Sequence, residues 1–143
     1  MKQIVILIFF ILVFNTISPA SMVSFTLDGA PYNSPSEPRL RYPIYDTVIL
    51  NDDQPLEFSW WLDFALTGGF ILKVYKGYNM YADNLILREN LPADATSFKA
   101  PPDLFEEGKV YTWSLIRTST AGYKSDKSFN SFKIIKIKNE NNK

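Results

Sequence analysis

Cysteine and histidine are both absent from this 143-residue chain. Without a thiol or an imidazole there is no Ser–His–Asp or Cys–His nucleophilic machinery. Ordinary zinc sites with nitrogen or sulfur ligands and thiol redox chemistry go with them. No disulfide is available either, so the domain is held together by packing alone, unlike many small secreted domains. Glycine is scarce, at six residues, and the pair Gly68-Gly69 lacks the G-x-G-x-x-G or Walker spacing of a phosphate loop. Charge of one sign is lacking too: Lys+Arg and Asp+Glu each number 15, so no overall field gathers nucleic acid or an anionic membrane. No Asn-x-Ser/Thr acceptor for N-glycosylation occurs.

Apolar residues make up 46% of the chain and charged residues 21%, a globular composition. Aromatic residues are abundant at 15%, and large rings are what a thin two-layer core uses for buried area. Residues 1–20 read as a secretory signal peptide. Lys2 is a short positive start, Ile4–Phe14 is an unbroken apolar run, and Ser18-Pro19-Ala20 is a small-residue cleavage site before Ser21. A membrane span needs about 20 apolar residues, and Asn15, Thr16 and Ser18 interrupt the run too early. The expected location is therefore secreted or cell envelope (periplasm or cell surface), with no stable membrane insertion after cleavage.

Residues 21–38 are rich in Ser and Pro and read as an extended lead-in, although Val23, Phe25 and Leu27 alternate as a short strand would. From Leu40 onward, short strand-like runs recur between turn signals, the pattern of an all-β sandwich or barrel. Leu40–Tyr45 is broken by Pro43, which confines it to an edge or a bulge. Asn51–Pro55 is a turn. Leu56, Phe58 and Trp60 then alternate, as do Phe70, Leu72 and Val74. Leu85–Leu87 and Thr96–Ala100 are shorter runs, stopped by Pro92 and by Pro101-Pro102. Tyr111, Trp113 and Leu115 alternate along the strongest strand, and Phe132 and Ile134 mark the last. Residues 138–143 form a polar tail.

From about Pro38 to Ile137 the chain resembles a fibronectin type III domain. Leu56-Glu-Phe58-Ser-Trp60 is similar to the family's second strand and Gly69-Phe70-Ile-Leu72-Lys-Val74 to its third. Phe105-x-x-Gly108-x-x-Tyr111-x-Trp113-x-Leu115 is similar to its sixth strand and the turn that feeds it. The stretch between Tyr81 and Pro102 departs from the family's pattern. The resemblance implies an immunoglobulin-like, two-sheet antiparallel sandwich of about seven strands over residues 39–137. Phe58, Trp60, Leu72, Tyr111 and Trp113 would be core. Tyr111 would be the tyrosine-corner residue, its hydroxyl bonded to backbone across the turn, and Trp60 and Trp113 would face each other between the sheets.

For chemistry, only carboxylates remain, and the adjacent pairs Asp52-Asp53 and Glu106-Glu107 fall in turns. An acid/base pair must aim two carboxyls at one bond, and a calcium site needs several convergent oxygens; neither pair offers that. No catalytic residue, metal site or cofactor is expected, and the chain does not read as an enzyme. Leftover aromatics are the better lead. Trp61 follows inward Trp60, and Phe64 and Tyr123 lie in loops that the resemblance puts at one end of the sandwich. There the three would either form a contact patch or, for Trp61 and Phe64, cover the sheet edge or the lead-in segment. The expected function is a non-catalytic module for protein binding or spacing in an envelope or extracellular assembly. The alternative is a glycan-binding module whose flat rings, Trp61, Tyr75, Tyr78 or Tyr123, stack on sugars. The partner is thus a protein or a polysaccharide. Lys133, Lys136, Lys138 and Lys143 read as protection of an edge strand.

Overall fold

Strand formation follows the period-2 runs closely. The structure, a computed structural model, describes residues 34–51, 53–62 and 67–137. The signal segment, residues 21–33 of the lead-in, Asp52, Phe64 and the tail from Lys138 lie outside the described residues. The strands are β1 (Arg39–Tyr42), β2 (Thr47–Asn51), β3 (Leu56–Trp61), β4 (Thr67–Lys76), β5 (Leu85–Leu91), β6 (Ser97–Ala100), β7 (Val110–Ser119) and β8 (Lys124–Ile137). Two 3-10 turns, Ala82–Asn84 and Pro102–Leu104, are the helical elements among the described residues.

The strands form two sheets. One has the order β1-β3-β6 and the other β2-β8-β7-β4-β5. All neighbours are antiparallel except β2, which runs parallel to β8. The expected Leu40–Tyr45 run is a strand only as far as Tyr42, and a further strand that the sequence reading did not mark follows it at Thr47–Asn51. β1 joins the small sheet, and the chain then passes Pro43, after a cis Tyr42–Pro43 bond, into β2 on the large sheet. Proline has no N–H to give a ladder, so the position between two sheets suits it. Among the described residues there are thus eight strands where about seven were expected. Between Tyr81 and Pro102, where the family pattern is lost, β5 runs four residues further than the Leu85–Leu87 run.

Inward residues come from alternate positions of both sheets: Leu56, Phe58 and Trp60 from β3, Phe70, Leu72 and Val74 from β4, Tyr111, Trp113 and Leu115 from β7, and Phe132 and Ile134 from β8. The five expected core residues are all buried. The two indoles do not pair as expected. Trp113 lies 5.0 Å from the Phe58 ring and Trp60 lies 5.4 Å from the Phe70 ring. Each Trp thus packs against a phenylalanine of the opposite sheet, in tilted geometries that rings favour over a face-to-face sandwich. Phe105 extends the cluster edge-on to Tyr111 at 5.1 Å.

Tyr111 fulfils its expected role. Its hydroxyl accepts a hydrogen bond from the Glu106 backbone N–H at 2.8 Å. Arg117 continues the inward register of β7 and is fully buried. Its Nη1 donates to the Ser36 hydroxyl at 3.0 Å, and its guanidinium stands 6.0 Å from the Phe70 ring. Ser128 donates to the Pro38 carbonyl, while Asn130 and Trp113 donate to that of Pro43. The segment from Ser36 to Pro43 is therefore fastened to β7 and β8 by side chains.

Candidate functional site

The outward face of the small sheet gathers the richest mixture of exposed chemistry. Alternation along β3 puts Glu57, Ser59 and Trp61 outside, and alternation along β1 does the same for Arg39 and Arg41. Register then sets Arg39 opposite Trp61, Glu57 opposite Lys99 and Ser59 opposite Ser97. The Arg41 guanidinium carbon lies 5.0 Å from the Trp61 ring centroid, a cation–π contact. Arg41 also borders an open depression of about 380 Å³ lined by Arg41, Tyr42, Glu57, Ser59, Thr96 and Ser97. The backbone beneath is held by the Trp60 N–H donating to the Thr96 carbonyl at 3.0 Å. Burial pushes the Tyr42 phenol above its ordinary pKa, so its O–H remains protonated through the neutral range.

Of the three residues expected to form a contact patch, Trp61 is 49% exposed and Tyr123 43% exposed; Phe64 lies outside the described residues. β3 ends at Trp61, β4 begins at Thr67 opposite Ser119 of β7, and Tyr123 lies in the turn from β7 into β8. The topology thus sets Trp61 and Tyr123 at the same end of the sandwich. The contact that Trp61 makes is with Arg41, a residue that sequence reasoning passed over because β1 and β3 are distant in the chain.

Among the other rings considered for glycan stacking, Tyr78 is exposed. Tyr75 is not. It points outward as expected but is only 7% exposed, being set between Thr112 and Leu85 in the register of three neighbouring strands. Cross-strand neighbours on one face lie close enough to cover a ring. The lysine reading also needs correction. Over Lys133–Ile137 the last strand is internal, because β2 pairs with it, and the Lys133 N–H donates to the Asp46 carbonyl. The edge lies at β2. Lys138 and Lys143 fall outside the described residues.

The carboxylates of the turn before β7 are occupied separately. Glu106 pairs with Lys76 at 2.6 Å on the surface, and Glu107 accepts a hydrogen bond from the Lys136 backbone N–H. The Lys76 hydrogen bond, with its charge, holds the Glu106 carboxyl below the ordinary carboxylate range. The Asn51–Pro55 turn is closed by the Gln54 N–H on the Asn51 carbonyl at 3.0 Å. Among the described residues no group of three or more acidic side chains converges in a metal-holding arrangement. No helix among them is long and apolar enough to cross a membrane.

No known family profile and no curated protein matches the chain. Solved structures do. A computationally redesigned β-sandwich protein superposes with a TM-score of 0.51 at 10% identity, covering 72% of this chain and 98% of its own. The fibronectin(III)-like modules of Clostridium thermocellum CbhA give a TM-score of 0.44 at 15% identity, covering 71% of this chain and 96% of theirs. At such identities the likeness concerns architecture and not activity. With its two-sheet strand order and the Tyr111 corner, the chain has a fibronectin type III-like β-sandwich fold.

Proposed function

We propose that this chain is a non-catalytic, exported β-sandwich module for protein binding or spacing in a cell-envelope or extracellular assembly. The single observation that carries the binding part is that the strand order brings two half-exposed rings, Trp61 and Tyr123, to one end of the sandwich. A few aromatic anchors usually supply most of an interface's energy. Export rests on the apolar run Ile4–Phe14 and the small-residue site before Ser21, and the non-catalytic reading on a chain without His or Cys.

Two measurements test this. N-terminal sequencing of the protein from an exporting host should begin at or near Ser21; an intact Met1 in the membrane fraction would show an anchor instead. Replacing Trp61, Phe64 and Tyr123 together by Ser should abolish partner capture while the thermal midpoint stays near wild type. Unfolding of the triple variant would return these rings to the core.

A second reading, glycan binding, is favoured by one specific observation. Trp61 is held by Arg41 beside a depression bordered by the hydroxyls of Ser59, Thr96 and Ser97. Aromatic faces match the weakly positive C–H faces of sugar rings, and such hydroxyls match their polar rims.

A further inference from the structure

The glycan reading is taken further by the charges around Trp61. The outward positions of the small sheet carry Arg39, Arg41 and Lys99 against Glu57, a cationic surplus in a chain whose total charge is balanced. Glu57 and Lys99 stand directly opposite each other in register. Arg39 remains, opposite Trp61, together with Arg41, which falls at the irregularity between Leu40, opposite Trp60, and Tyr42, opposite Ser59. The depression has the size of a small-ligand site, for which about 300–1,000 Å³ is usual. Its lining also offers both hydrogen-bonding senses: Arg41 donates only, Glu57 accepts, and four hydroxyls do either. A polyol with a carboxylate needs that combination. The contact with Trp61 holds the Arg41 guanidinium at the rim of the depression, and a planar guanidinium binds a carboxylate through two parallel hydrogen bonds.

We propose that the outer face of the β1-β3-β6 sheet binds an acidic polysaccharide. A uronate residue would lie in the depression beside the Arg41–Trp61 pair, with its carboxylate on Arg41 and its hydroxyls among Ser59, Ser97 and Glu57. This rests on the second reading above, and it adds the site and the class of sugar. Glu57 acts in the opposite sense from its neighbours, since its negative charge repels the ligand's carboxylate. The face therefore prefers sugars whose hydroxyls meet Glu57 and whose acid group lies toward Arg41.

Affinity gel electrophoresis of the purified mature protein at low salt tests the proposal, with polygalacturonate, neutral dextran and polyglutamate as the probes. Polygalacturonate should retard the wild type, while dextran and polyglutamate should not. Trp61→Ser and Arg41→Gln should each weaken the retardation by about tenfold or more. Glu57→Gln should strengthen it, a change of sign that loss of folding cannot imitate. Thermal midpoints of all three variants, measured alongside, confirm that the sheet is intact. Equal retardation by dextran, lost in Trp61→Ser, would keep the glycan reading and overturn the acidic class. Retardation by polyglutamate as strong as by polygalacturonate, and indifferent to Trp61→Ser, would reduce the face to simple charge attraction and overturn the proposal. No retardation by any polymer would remove the site and the glycan reading together, leaving protein binding or spacing untouched.

Discussion

The indole N–H of Trp113 donates to the carbonyl of Pro43 at 2.8 Å, across 70 residues of sequence. Trp113 lies on β7, in the interior of the large sheet, and Pro43 lies where the first strand leaves the small sheet for the large one. One buried hydrogen bond thus pins the point at which the chain changes layers. Trp113→Ala should destabilise the domain by about 3–5 kcal/mol, the usual cost of truncating a large buried aromatic. Trp113→Phe keeps most of the packing and loses the donor, leaving the Pro43 carbonyl to the weaker Asn130 contact at 3.3 Å. It should cost about 1–3 kcal/mol. Urea unfolding of both variants measures the two separately.

Tyr111→Phe removes only the oxygen that accepts the Glu106 N–H. A backbone donor left without its partner costs about 1–3 kcal/mol where it is shielded from water. The ring contacts with Phe105 and Phe132 stay in place. The unfolding midpoint should fall, and amide exchange at Glu106 should speed up by more than at residues elsewhere in the sheet.

Gly68 is where β4 shifts register against the end of β7, and its backbone passes close to Ser119. A methyl group there would come 2.4 Å from the Ser119 carbonyl oxygen, a backbone atom that cannot swing aside. Gly68→Ala should destabilise by about 1–3 kcal/mol, as overpacking generally does. A thermal midpoint equal to wild type would mean that the bulge yields more easily than its geometry indicates.

The Lys76–Glu106 pair sets a pH-dependent signal on the surface. The hydrogen bond and charge of Lys76 lower the Glu106 pKa, and those of Glu106 raise the Lys76 pKa. The carboxylate's contribution is present above its ordinary range and disappears as pH falls through the lowered value. The ammonium's contribution is present below its ordinary value and disappears as pH rises through the raised one. Both hold across neutral pH. Lys76→Met should move the Glu106 titration upward in an NMR pH series while barely changing the thermal midpoint, because exposed pairs contribute little.

Trp61→Ser and Tyr123→Ser remove side chains that are about half exposed. Each should leave stability within about 1 kcal/mol of wild type, the Trp61 change losing mainly the stack with Arg41. Thermal melts of the single variants check this independently of any binding experiment.

Period 2 is a local property, and it is why the all-β class and the inward rows of β3, β4 and β7 were legible in the sequence, whereas the corner at Tyr111 came from the family resemblance. Inward alternation also carried as far as Arg117, although its charge disguised a core position. What no local pattern contains is which strand lies beside which. Only tertiary pairing decided that β1 and β2 belong to opposite sheets, that Trp113 meets Phe58 and Pro43 instead of Trp60, and that β2 covers β8. Tyr75 was correctly aimed outward, yet its burial depends on Thr112 and Leu85, brought beside it by two separate pairings. The depression beside Trp61 has the same origin: its lining runs from Arg41 to Ser97, and antiparallel pairing of β1, β3 and β6 alone makes those residues neighbours. Side-chain alternation is dictated within a few residues by the pleat. Register and layer assignment, by contrast, depend on long-range packing, which the sequence determines only through the folded whole.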